Sequence, residues 1–217
     1  MSRIEKLAPL TGVLGIAGVL AGLVTDNQPD ASASSADLAH YLANQGHVHW
    51  FVEAMLVALG GTVLLVFAAV LGARVEAAGA GPVTRRVVQG AATTWATLTM
   101  IGGALYGVIP IKLTFYGSAA PSASAYHLVE ATSYAVLVTV CAFAAALLAV
   151  ALSVASLQTG LLPRWLTYAG FPAALLILGN MLFPMSMITL FYVAVSLALV
   201  LRTPARRTST TSVAVPA

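Results

Sequence analysis

Six apolar runs, at about 8–24, 49–73, 87–110, 127–157, 165–182 and 186–202, divide the 217-residue chain. Most are close to the roughly 20 residues that a helix needs to cross the hydrocarbon core of a bilayer. The fourth is longer, so it tilts or extends beyond the membrane. A segment in lipid must satisfy its own backbone, which leaves helices or a closed barrel. The short alternating strands of a barrel are absent from the sequence. The pattern therefore predicts an all-α fold: a polytopic bundle of six transmembrane helices forming one domain over residues 1–204. Charged residues make up only 8% of the chain, where a soluble domain carries about 25%. That scarcity excludes an ordinary soluble globule, a nucleic-acid binder and a disordered chain.

Basic residues orient the bundle. With a cytoplasmic N-terminus, Arg3, Lys6, Arg74, Arg85, Arg86, Arg164, Arg202, Arg206 and Arg207 all lie inside, and Lys112 alone lies outside. Both termini are then cytoplasmic, in a multi-pass protein of the cell membrane. The first run also has features of a signal peptide, with Ala31-Ser32-Ala33 as a cleavage site. It is long for such a segment and the site lies far past it, so a retained span is expected. The first outer loop, about 25–48, carries Asp26, Asp30 and Asp37 and no basic residue. Within it Ser34-Ser35-Ala36-Asp37 resembles a capping box with Asp in place of Glu. A short amphipathic helix over 36–44, ending near Gly46, follows from it; a plain connecting loop is the alternative. Phe183-Pro184-Met185 reads as a tight turn between the last two spans. The Ser/Thr-rich tail, 205–217, is expected to be disordered.

Gly18-x-x-x-Gly22 and Gly103-x-x-x-Gly107 permit close helix approach. The single cysteine, Cys141, excludes an internal disulfide and reads as a small buried hydrophobe. Val-Glu-Ala recurs at 52–54, 75–77 and 129–131, too short a match in so Ala/Val-rich a chain to argue a duplication.

Two acids remain inside apolar runs, Glu53 in the second and Glu130 in the fourth. A charged side chain at the centre of a bilayer costs about 2.5–3.5 kcal/mol on insertion scales, and intramembrane acids are functional candidates for that reason. Each lies four to six residues past the outer end of its span, or about 6–9 Å deep. The two helices run in the same direction, so the carboxyl groups share a level if the spans are neighbours. His49 precedes Glu53 by one helical turn, and His127, Glu130 and Tyr134 follow i, i+3, i+7 spacing. Tyr106 and Lys112 end the third span and Asn180 ends the fifth at the same level. All four histidines (40, 47, 49 and 127) are on this side, with Trp50, Phe115, Tyr116 and Tyr126. Blander roles exist for many of these. Trp50, Tyr116 and Tyr126 suit an interfacial aromatic belt. His40 and His47 suit a solvated loop, Lys112 can snorkel to the surface, and Asn180 can bond between helices.

The chemistry open to this set starts from an acid kept in apolar surroundings. Burial disfavours the charged form, so such a group can hold a proton and act as a general acid. Protonating an alkene or epoxide creates a carbocation, which aromatic faces stabilise. This is the logic of proton-initiated isoprenoid cyclisation, although the Asp-rich motifs of soluble cyclases are absent. In size, span number and the acid just inside the second span (Trp50-Phe51-Val52-Glu53), the chain resembles small integral-membrane terpene cyclases. That resemblance implies Glu53 and Glu130 as catalytic acids, with Trp50, Tyr106, Tyr134, His49, His127 and Asn180 around a lipophilic prenylated substrate.

A second resemblance covers most of the chain. Lys6-Leu7-Ala8-Pro9-Leu10-Thr11-Gly12, the acidic first outer loop and Leu162-Pro163-Arg164-Trp165-Leu166 are similar to small actinobacterial multi-pass membrane proteins of unknown function. It implies a six-helix bundle and no activity; many such proteins carry an aliphatic residue where Glu53 stands. Three other readings stay open: a proton-coupled transporter, a metal site built from His49, Glu53, His127 and Glu130, and a non-catalytic membrane subunit. The expected partners are the lipid bilayer and a lipophilic small molecule, with no nucleic acid, no cofactor and no bound metal. The oligomeric state is left open.

Overall fold

Residues 3–24, 34–44, 46–117, 119–179 and 184–202 are described by a computed structural model. Among them every regular element is a helix. A short α1 (Arg3–Leu7) leads into α2 (Leu10–Val24), and α3 (Ser35–Ala43) precedes the long α4 (Gly46–Ala77). Next come α5 (Pro82–Tyr106) and α6 (Val108–Tyr116), then α7 (Ala123–Tyr134) and α8 (Cys141–Thr159), joined by a π-helical turn over Ala135–Val140. The last two are α9 (Arg164–Gly179) and α10 (Pro184–Leu201).

Six of these helices form a closed ring. Packing runs from α2 to α4, α5, α8, α9 and α10, and α10 returns to α2. Small residues set the spacing. A Cβ on Gly22 would fall 2.5 Å from the Glu53 carbonyl oxygen, so α2 lies against the N-terminal half of α4 backbone to backbone. A Cβ on Gly103 would fall 2.8 Å from the Ala58 nitrogen, which sets α5 on the other side of α4. Both small-xxx-small pairs in the sequence are thus used at helix contacts. The larger core fills the middle and the arginine-rich end, with Phe67, Leu71, Trp95, Leu148 and Tyr192 buried. The Tyr192 hydroxyl donates to the Ala145 carbonyl, tying α10 across to α8. A second, smaller core at the opposite end joins Leu38, Leu42, Trp50, Ala54, Tyr106, Ile109 and Tyr126.

Two helices, His47–Ala77 and Ala123–Thr159, are long and apolar enough to cross a membrane. A third span is reached if α5 and α6 count together across their 47° bend. This is fewer than the six expected. The first and fifth runs form helices of 15 and 16 residues, short of the roughly 20 a span requires. The last forms 18 residues, of which Met187–Leu201 is apolar. The residues flanking these three, at 25–33, 180–183 and 203–217, lie outside the described set, and so does the tail expected to be disordered.

Local boundaries differ from expectation at three places. The third run, 87–110, does not stay one straight helix. Its helix starts at Pro82, in the first turn where a missing N–H costs nothing, and bends at Gly107. The fourth helix contains the π turn, within which Val136, Val138, Thr139 and Val140 crowd the helix with β-branched side chains. The turn brings Leu137 over Gly102, where a Cβ would come within 2.4 Å of Leu137 Cγ. Finally, Gly46 opens α4 rather than closing α3, whose C-cap is Asn44.

Candidate functional site

The ends of α3, α4, α5 and α7 converge on the smaller core. The Ser34 hydroxyl accepts from the Asp37 N–H, and the Asp37 carboxylate accepts from the Ser34 backbone N–H at 3.1 Å and hydroxyl at 2.7 Å. These bonds start α3 and hold the Asp37 carboxyl below its ordinary value of 3.8. Leu38 and Leu42, one turn apart, then face down into the cluster.

Trp50 lies beneath, completely buried. Its ring meets Tyr106 edge-on at 5.7 Å and Tyr126 edge-on at 5.4 Å. Tyr106 is the last residue of α5, placed here by the close seat of Gly103 on α4. Tyr126 is in the first turn of α7, where the Ser122 hydroxyl accepts from the Ala125 N–H. Tyr126 was expected to belong to an interfacial belt; it is fully buried instead.

Glu53 is one turn deeper than Trp50 and only 4% exposed. The Tyr106 hydroxyl donates to its Oε2 across a long 3.5 Å. Gly22 of α2 packs against its backbone from the other side. The Trp50 indole Nε1 is buried and has no acceptor among the described residues. An unpaired buried donor carries a desolvation cost of about 1–3 kcal/mol. The cluster thus combines a buried acid, three aromatic rings and an unused N–H.

The other expected residues sit elsewhere. His127 and Glu130 pair on α7, Nδ1 to Oε2 at 3.4 Å, both half-buried. Tyr134 is 45% exposed and His49 is exposed. Asn180 lies outside the described residues. Among the described residues no three His, Cys, Asp or Glu side chains gather as metal ligands. The structure therefore joins Glu53, Trp50 and Tyr106 with Tyr126, which the sequence places on the same side but outside the expected site, and sets His127 and Glu130 together as a pair on α7. Comparison with family models, curated proteins and solved structures gave no match to the chain.

Proposed function

We propose that this chain is a six-span enzyme of the cell membrane, with both termini cytoplasmic, that starts cyclisation of a lipophilic prenylated substrate by protonation. The observation that carries the reading is Glu53, a buried acid that meets the Tyr106 hydroxyl beside the ring cluster of Trp50, Tyr106 and Tyr126. The orientation rests on the distribution of basic residues, and the three shorter helices are read as spans completed by their neighbouring residues.

In this reading the Glu53 carboxyl gives its proton to an alkene or epoxide of the substrate, leaving a carboxylate. The carbocation so formed is attacked by a second alkene, closing a ring and moving the charge. The faces of Trp50, Tyr106 and Tyr126 stabilise the cation. Proton loss from the final cation to the Glu53 carboxylate restores the acid; if the His127–Glu130 pair takes that proton instead, it releases it to water and Glu53 is reprotonated from water, so either way the reaction is a net isomerisation. The Trp50 N–H is available to an epoxide or hydroxyl oxygen.

Membranes containing the protein, supplied with prenylated substrates in deuterated water, test this. Protonation of an alkene leaves one deuterium on carbon in the product, whereas protonation of an epoxide leaves an exchangeable hydroxyl and is read by the cyclised product alone. Glu53→Gln should lower product formation by about 10²–10⁴-fold, the range of a general acid, while the protein still inserts. Full activity in Glu53→Gln overturns the assignment. A proton-coupled transporter is the second reading, favoured by the His127–Glu130 pair, since such pairs make proton relays. It predicts substrate-driven proton uptake into vesicles, lost in Glu130→Gln, with no new product.

A further inference from the structure

On the outward face of α5, away from the aromatic cluster, lies a groove of about 530 Å³ lined by Arg86, Gln89, Gly90, Thr93, Thr94 and Thr97. That volume falls in the usual range of small-molecule sites, about 300–1,000 Å³. The opposite face of the helix (Val88, Ala92, Trp95 and Thr99) is buried in the bundle. The groove surface is mostly apolar, with Leu98 at its far end, but it carries Arg86, Gln89 and three threonine hydroxyls on a face turned away from the bundle.

Gln89 leans on α4 at Gly72, but three features leave the rest of this face unused by the bundle. The first is the threonines. Thr62, Thr99, Thr132 and Thr159 return their hydroxyls to the carbonyl four residues back. The hydroxyls of Thr93, Thr94 and Thr97 make no hydrogen bond among the described residues. The second is the charge. Arg85 pairs with Glu76, whereas Arg86 has no carboxylate partner among the described residues. The third is Gly90. Glycine weakens a helix and needs a reason to be there. Gly22, Gly60 and Gly103 have one, because a Cβ would strike a neighbouring backbone; a Cβ on Gly90 would meet nothing within 4 Å. Its open side is the groove.

We infer that this groove binds the headgroup and glycerol region of an anionic phospholipid. Arg86, four residues into the helix, is placed at the interface and takes the phosphate, for which a guanidinium is well suited. Gln89 and Thr93 follow within about 10 Å along the axis and donate to the ester carbonyls that succeed the phosphate in a lipid. Gly90 leaves room for the glycerol, and an acyl chain continues past Thr97 along Ile101. A second copy of the chain fits this face less well. A two-fold contact through it would bring the two Arg86 guanidiniums to the same depth, side by side, in a medium that screens poorly. The inference rests on α5 lying in the bilayer and is independent of the cyclase chemistry.

The test is lipid retention by the full chain in detergent, read by native mass spectrometry and by thermal shift. Phosphatidylglycerol is titrated against phosphatidylcholine. The expected result is preferential retention of phosphatidylglycerol, weakened about fivefold in Arg86→Gln, the worth of one basic residue at an anionic membrane surface. Gly90→Leu fills the groove without touching the bundle, so it should abolish retention while helical content and unfolding temperature are kept or raised. Arg164→Gln, which removes an exposed arginine elsewhere, should retain lipid as the unaltered chain does. Equal retention of the two lipids, or unchanged retention in both Arg86→Gln and Gly90→Leu, overturns the inference. So does displacement of the lipid by glycerol phosphate at equal concentration, which would make the ligand a soluble phosphate. A disulfide-linked dimer through Thr93→Cys in lipid-depleted protein would give the face to a second copy instead.

Discussion

The two ends of the bundle each carry charge and tryptophan, and treat them in opposite ways. At the arginine-rich end Arg74 donates to the Glu5 carbonyl at 3.0 Å, Arg202 donates to the Gly160 carbonyl at 3.0 Å, and Arg85 pairs with Glu76. Trp165 there is 66% exposed. At the other end Trp50 is fully buried beneath α3 and Glu53 is enclosed with it. At the first end the charges are settled by bonds, Arg74 (7% exposed) and Arg202 against backbone carbonyls and Arg85 against an exposed acid. The acid at the second is held inside an aromatic cluster, where its charged form is costly to keep. One end thus keeps its tryptophan at the surface and bonds its arginines, while the other encloses a tryptophan and an acid together.

That contrast can be broken by substitution. Trp50→Ala should destabilise the protein by about 3–5 kcal/mol, the cost of emptying a packed aromatic site. Trp165→Ala should stay within about 0.5 kcal/mol. Equal losses in unfolding experiments would erase the distinction between the ends. Tyr106→Phe comes next, removing the hydroxyl that reaches Glu53, with an expected loss of about 1–3 kcal/mol. At the opposite end Glu76→Gln should cost no more than about 1 kcal/mol, since its pair with Arg85 is solvent-accessible.

The smallest effect is a pH response confined to α3. The Asp37 carboxyl is held below its unfolded value near 3.8. Its contribution is therefore present above that value and is lost as pH falls through the lower, folded one. Amide exchange in α3 should quicken on acidification through that window, and Asp37→Asn should remove the pH dependence. A response spread across α4 and α5 as well would mean that α3 and the cluster beneath open as one unit.

Much of the architecture was legible because apolar runs map directly onto helices, and because Ser34 and Asp37 announce the start of α3. The bend at Gly107 and the π turn after Tyr134 were not, since both depend on what the helix meets: Ala54 under Gly107 and Gly102 under Leu137. At the site, helical spacing brought Trp50, Glu53 and Tyr106 to one end of the bundle and did less well by direction. On α4 the buried arc runs through Glu53, Val57, Trp50 and Ala54. At about 100° per residue, His49 falls about 40° beyond its edge at Glu53 and emerges at the surface. On α7 the arc centres on Tyr126 and Ser133. Glu130 lies about 50° to one side of it and His127 and Tyr134 about 100° away, so they leave the cluster in that order. Tyr126 was missed because a tyrosine at a span end reads as a belt residue until α3 is seen to cover it.

The ring of helices has a consequence for how the chain is made. Each neighbour in the ring is the next long helix in the sequence, so hairpins can pack in turn as they emerge from synthesis. The exception is the seam between α10 and α2, where a Cβ on Gly12 would come within 2.3 Å of Ser196 Oγ. That seam joins the beginning of the chain to its last described helix, so α2 must wait with one face uncovered until α10 arrives. The waiting interval is when a nascent chain is most open to capture by chaperones or quality-control proteases.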